Sequence, residues 1–218
     1  VREQRVVRRR RRNTVRIPRL VVMTDDVARA YSRRAAEYSA LFGDVGAAHP
    51  SDRQLIETWA DSLDGPVIDA GCGPGHWTHH LTDRGRDARG VDQVPEFIDR
   101  ARRTYPGVPF TLGSLNTLDA EDASVGGVLA WYSLIHHEPS AIRMPLHEFR
   151  RVLRPGGGLL IGFLEGPVVE GYAHAVTPAY LWSVDALSAE LQSAGFEVVE
   201  SHVRKTAGQR SQGAIVAR

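Results

Sequence analysis

From residue 67 onward the apolar positions fall into short runs separated by segments of helical period. Val67–Ala70, Arg89–Asp92, Val108–Leu112, Val125–Tyr132 and Gly158–Leu164 read as strands. Helical patterns over 76–84, 95–104 and 139–153 stand between or after them, the last ending at Arg154-Pro155-Gly156-Gly157, a helix-stop signal. A helix over 183–194, closed by Gly195, precedes two final strands, Phe196–Val203 and Gly213–Val216, set around the polar turn Thr206–Gln212. Upstream, Thr24 or Asp25 can cap a helix running to Phe42, with Val27, Tyr31, Tyr38, Leu41 and Phe42 at its apolar positions. Ser51 opens a second helix that ends near Leu63. Strands alternating with helices predict an α/β domain whose mostly parallel sheet is covered on both faces.

Charge changes the picture at one end only. The 218 residues carry a formal net charge of +1, but residues 1–22 hold nine arginines and a single acid, Glu3. The rest has 18 basic and 25 acidic side chains, and an acidic body argues against broad nucleic-acid contact. Because Met23-Thr24-Asp25-Asp26 has the look of a natural start, residues 1–22 are expected to be a disordered or non-native extension. Residues 23–218 are expected to form one domain, with 23–63 a helical cap and 165–182 a substrate lid. A single cysteine, Cys72, excludes an internal disulfide and suits a reducing, cytoplasmic setting. No run of eighteen apolar residues offers a membrane span.

The chemistry concentrates at Val67-Ile68-Asp69-Ala70-Gly71-Cys72-Gly73-Pro74-Gly75, a strand running into a glycine turn before a helix. Glycines there permit positive φ and close approach of backbone to a ligand, at the strand's carboxyl end where nucleotides bind. The spacing is not the G-x-G-x-x-G of dinucleotide folds, and no G-x-x-x-x-G-K-[ST] phosphate loop occurs. Asp69 would repel a pyrophosphate but favour an ammonium or sulfonium. Asp92, ending the next strand, can accept both hydroxyls of a ribose.

These residues, together with Gly90-Val91-Asp92, Leu153-Arg154-Pro155-Gly156-Gly157-Gly158 and Asp185 to Phe196, resemble the class I S-adenosylmethionine-dependent methyltransferases, in particular their small-molecule (methyltransferase type 11-like) branch. The resemblance spans about residues 25–218. It implies a Rossmann-like, doubly wound sheet of seven strands with an antiparallel last strand and an amino-terminal helical cap. It implies S-adenosylmethionine as cofactor and S-adenosylhomocysteine as product. Gly71, Cys72 and Gly73 would meet the methionine part with Asp69 near its amino group, Asp92 would hold the ribose, and Gln93, Ser114 and Leu115 would flank the adenine. Trp131 would approach with its backbone, and Tyr31 and Tyr38 would cover the methionine moiety. Ser114 stands where the family usually has Asp.

Methyl transfer is in-line attack on a sulfonium, so orientation and exclusion of water carry most of it, and a base helps only when the acceptor must lose a proton. His136 and His174 are the base candidates; Tyr132, His137 and Tyr172 are candidates for contact with a small-molecule acceptor. His76 and His80 form an i, i+4 pair but lack a carboxylate at matching spacing, so no metal site is expected. An RNA or protein methyltransferase should show an Asn/Asp-Pro-Pro-aromatic run where Trp131-Tyr132-Ser133-Leu134 stands. A non-catalytic cofactor-binding relative is the other alternative. The acceptor atom and the oligomeric state stay open.

Overall fold

The computed structural model describes residues 21–218, with side chains from Asp26 onward. The arginine-rich stretch predicted as an extension therefore lies outside the described residues, save its last two positions. Two helices, α1 (Val21–Ser32) and α2 (Ala35–Phe42), precede α3 (Pro50–Asp61). The body then runs β1 (Val67–Ala70), α4 (His76–Asp83), β2 (Ala88–Asp92), α5 (Pro95–Thr104), β3 (Phe110–Leu112) and β4 (Val125–Trp131). It continues through α6 (Arg143–Val152), β5 (Leu153–Leu164), β6 (Glu170–Tyr172), β7 (Ala179–Leu181), α7 (Val184–Ser193), β8 (Val198–Arg204) and β9 (Gln212–Ala217).

Seven strands form one sheet in the order β3-β2-β1-β4-β5-β9-β8. β1 pairs in parallel with β2 and β4, β2 with β3 and β4 with β5, whereas β9 runs antiparallel to both neighbours. The sheet is thus Rossmann-like and mostly parallel, with the last strand reversed. Its central strands are buried on both faces, which is why β1 and β4 read as continuous apolar runs rather than as alternations. One core cluster packs Phe149, Leu146 and Leu191 against Ile161 and Val128; a second packs Trp59, Ile56 and Leu81 against Leu129 and Leu160. Strand order reverses between β1 and β4, so the loops leaving their carboxyl ends diverge and open a crevice.

Three local departures from the sequence expectation matter. The single helix expected up to Phe42 is broken at Arg33-Arg34, where the chain turns so that Ala35 and Tyr38 pack on Val94 and Phe97 of the body. Burial of that face offsets the lost helical bonds. The predicted stop at Arg154–Gly157 is an irregularity inside β5: the register jumps from Val125↔Leu153 to Gly127↔Gly158, with Gly156 at φ +76°. The connection 165–182 is not bare loop; β6 and β7 pair as an antiparallel hairpin within it. No described helix is long and apolar enough to cross a membrane.

Candidate functional site: a glycine turn beneath an aromatic cap

At the end of β1 the chain alternates glycines in positive φ: Gly71 at +81°, Gly73 at +54° and Gly75 at +88°. A Cβ at Gly75 would fall 2.7 Å from the Phe110 ring and 2.8 Å from Ala101 Cβ, so this turn closes only with glycine there. The amides of Gly71 and Cys72 both donate inward to the Val91 carbonyl, at 2.7 and 3.1 Å. Cys72 is buried and its thiol is pushed well up by burial, then by Asp69 and Asp92; it is an inert small residue in the turn.

Asp92 ties this turn to the start of α5. Its Oδ2 accepts from the Gly73 amide at 2.9 Å and its Oδ1 from the Val94 amide at 2.8 Å. Burial pushes its carboxyl up to about 6, against the lowering effect of the Val94, Gly73 and Gln93 amides. Each oxygen keeps a further lone pair, so both still have acceptor capacity for hydroxyls. Asp69 lies deeper, 2% exposed, and its Oδ2 accepts from the Thr78 hydroxyl at 2.7 Å. Burial raises it to about 7, with Thr78 opposing and Asp92 adding to the rise.

The cap roofs the turn. Tyr31 and Tyr38 meet edge to face with centroids 5.4 Å apart, and both rings rest on Phe97 at 6.0 and 5.3 Å. Together with Gly71, Gly73, Asp92, Gln93, Leu115, Ser133 and His136 they line a narrow pocket of about 70 Å³. Burial, then Asp92, pushes the Tyr38 phenol up to about 12. Beside this pocket, and sharing both tyrosines with it, lies a cleft of about 680 Å³ lined by Trp77, Trp131, Tyr132, Tyr172, His174 and Arg210 among others.

The two candidate bases are held by specific bonds. His136 Nδ1 lies 2.8 Å from the Pro178 carbonyl, which can only accept, so the proton sits on Nδ1. Nε2 therefore accepts from the Tyr31 hydroxyl at 2.8 Å. Burial chiefly lowers His136 to about 4, so it is neutral at neutral pH. The Val176 amide donates to His174 Nδ1 at 3.3 Å, which leaves the proton on Nε2. Its ring stands 5.2 Å from that of His136. Neither imidazole presents a free lone pair to the cleft in this arrangement.

Most of the sequence-predicted site residues converge here. Gln93 and Leu115 line the narrow pocket; Tyr132, Tyr172 and His174 line the cleft. Trp131 reaches the cleft with its ring, which covers Gly162 and meets Trp77 at 6.4 Å. Ser114 lines a different cavity, of about 300 Å³ beside Arg89 and Thr111, and its hydroxyl accepts from the Asn116 amide. His137 lines neither pocket nor cleft. Thr78, Phe97, Ser133 and Arg210 carry no sequence signal of their own. Arg210, in the β8–β9 turn, lies 4.0 Å over the ring of Tyr172 at the end of β6.

An alternate-glycine turn, a strand-end carboxylate and an aromatic roof stand together at the switch point of a sheet ordered 3-2-1-4-5 with a reversed last strand. Residues 67–157 match the family model described as a methyltransferase domain. This part of the chain is thus similar to the class I S-adenosylmethionine-dependent methyltransferases. The chain is 30% identical over 141 residues to a malonyl-[acyl-carrier protein] O-methyltransferase of Serratia marcescens, covering 63% of this chain and 52% of that one. It is 40% identical over 96 residues to an uncharacterised methyltransferase of Mycobacterium bovis, covering 43% and 37%. The aligned region is thus about half, or less, of each relative's length. In fold it is similar to the 1,6-didemethyltoxoflavin-N1-methyltransferase of Burkholderia thailandensis, solved with its substrate and S-adenosylhomocysteine, with a TM-score of 0.71, 24% identity and 89% of each chain covered.

Proposed function

We propose that the protein is an S-adenosylmethionine-dependent methyltransferase acting on a small-molecule acceptor. The observation that carries this reading is Asp92 bonded to the Gly73 amide under the Tyr31–Tyr38 roof, with a cleft opening alongside. The residues suit the group. Asp92 has lone pairs for ribose hydroxyls, Gln93 and Leu115 lie on the nucleoside side, and aromatic faces beside a carboxylate favour a cationic centre. The relatives support it through what they act on: a malonyl thioester carrier in one case and a small heterocycle in another.

When bound, the cofactor supplies an electrophilic methyl on a positively charged sulfur. The chain supplies the rest. The glycine turn and Asp92 hold the nucleoside, and the tyrosine roof shuts out water. Trp131, Tyr132 and Tyr172 give the acceptor flat apolar faces in a cleft of about 680 Å³, a size that suits a small organic molecule. Because both histidines have their lone pairs engaged, the site works first by orientation. A proton leaving the acceptor would reach His136 through the Tyr31 hydroxyl. The buried single cysteine suits a cytoplasmic setting.

Isothermal titration with S-adenosylmethionine, S-adenosylhomocysteine and NAD tests the reading. Binding of the first two but not of NAD, lost in Asp92→Ala, is the expected result. Absence of S-adenosylmethionine binding, or an Asp92→Ala protein that binds as the parent does, would overturn it.

A further inference from the structure

We infer that Arg210 selects acceptors carrying a carboxylate apart from the atom that is methylated, an inference that rests on the methyltransferase reading above. Its guanidinium lies 4.0 Å over the centre of the Tyr172 ring, and both residues line the cleft of about 680 Å³. A guanidinium stacked on an aromatic ring gives up its face and keeps the N–H donors around its edge. Arg210 is exposed, and among the described residues none of those donors meets an acceptor.

The other charges of the cleft are already matched or stand elsewhere. Arg204, the second arginine lining it, is held by both oxygens of Asp52, at 2.6 and 3.3 Å, and by Gln212. Tyr132 sits by that pair: it leaves β4 at φ +56° with its amide on the Gly162 carbonyl at 3.0 Å, and its phenol feels both charges. Asp44, the other acid lining the cleft, accepts from the Gly46 amide at 2.7 Å and acts on His76 at the start of α4. Arg34 reaches toward His174 from outside the cleft lining, but it is bonded to Glu37 and to the Ala175 carbonyl. Beside Tyr172 and His174, Arg210 is therefore the cation left without an acid, and its charge lowers both of them.

The position is fixed by the fold. The Ser211 carbonyl, next in the chain, accepts from the Glu165 amide at 3.0 Å, which holds the β8–β9 turn against the start of the 165–182 connection. From Arg210 a line of contacts runs through Tyr172 to His174 at 6.0 Å, then to His136 at 5.2 Å and on to the Tyr31 hydroxyl in the roof. An acceptor lying along that line puts one end beneath the tyrosines and the other on Arg210. A single guanidinium edge offers two parallel N–H bonds, which match the two oxygens of a carboxylate. A phosphate would leave oxygens without a second cation to meet them.

Two pairs of probes test this: phenylacetate with phenylacetamide, and indole-3-acetate with indole-3-acetamide. Each acid and its amide share one shape and differ in charge. They are titrated into the full chain and its Arg210→Gln variant, both saturated with S-adenosylhomocysteine. The expected result is at least one acid that binds the parent about tenfold more tightly than its amide, the size of a hydrogen-bonded ion pair. In Arg210→Gln that preference should shrink to less than about twofold, through weaker binding of the acid with the amide unchanged. Acid and amide binding the parent alike, or no acid binding below about 10 mM, would overturn the inference. A preference that survives in Arg210→Gln would overturn it too, by assigning the carboxylate to another group. Failure of S-adenosylhomocysteine itself to bind the parent would instead bring down the methyltransferase reading, and this inference with it.

Discussion

At the scale of single residues, Gly71 meets two demands at once: a backbone at φ +81° and a void where Ser133 enters. Gly71→Ala fails both, and neither neighbour can give way, because Ser133 is held by the turn at Tyr132. We expect S-adenosylhomocysteine affinity to fall about a hundredfold or more, with a melting temperature lower by several degrees, measured by titration and thermal denaturation. An affinity within threefold of the parent would contradict this account of the turn. The demand at Gly71 was legible in the sequence, because a local conformational need leaves a local mark. So was Asp92, which stands at a strand end. Thr78 and Ser133 were not legible. A threonine on a helix and a serine in a loop are ordinary residues until the fold sets one on a buried carboxylate and the other in a pocket.

At the scale of elements, the cap is tied to the 165–182 connection. Tyr31 bonds His136, a residue 105 positions away, and His136 bonds the Pro178 carbonyl. Arg34, at the break between α1 and α2, donates to the Ala175 carbonyl. The aromatic roof over the glycine turn and one wall of the adjoining cleft are therefore one connected surface. The narrow pocket of about 70 Å³ and the larger cleft meet at Tyr31 and Tyr38, so a ligand seated in one bears on the walls of the other. We expect S-adenosylhomocysteine to slow amide exchange at residues 173–180 as well as in α1 and α2. In Arg34→Ala combined with Tyr31→Phe, the protection should remain in the glycine turn and vanish from 173–180. Protection at 173–180 that persists in the double variant would show that these bonds do not couple the two. The apolar patterns located both segments, but not their joining, which depends on hydrogen bonds between residues far apart in the chain. The β6–β7 hairpin escaped for a similar reason, since three-residue strands leave too short a pattern to read.

For the whole molecule, buried ionisable groups set how stability depends on pH, and they pull in opposite directions. Asp69 and Asp92 are raised to about 7 and about 6, so the folded chain holds their protons more tightly than the unfolded one, and stability falls as pH rises from about 4 to 7. His76, His136 and His137 are each lowered by burial to about 4, so the unfolded chain binds their protons first, and stability falls as pH drops from about 6.5 to 4. Three histidines outweigh the two carboxyls up to about pH 7.5, above which neither set titrates further. We expect the melting temperature to rise from about pH 4 and level off near about pH 7.5, as thermal denaturation across that range would show. Asp69→Asn, which can still accept from Thr78, should raise the melting temperature at pH 8 and leave it nearly unchanged at pH 4. A variant less stable than the parent at pH 8 would show that the carboxylate contributes more through its bonds than burial costs. The strand order carries one more consequence. β9 follows β8 in the chain, yet it lies between β5 and β8 and is, among the described residues, the only strand bonded to β8. While the ribosome is still making the residues up to 211, the long apolar edge of β5 has no neighbour on that side and β8 has nothing to join. An unpaired edge of this kind invites pairing with other chains. Stalled or shortened products ending before Gln212 are thus the forms that chaperones would have to hold apart.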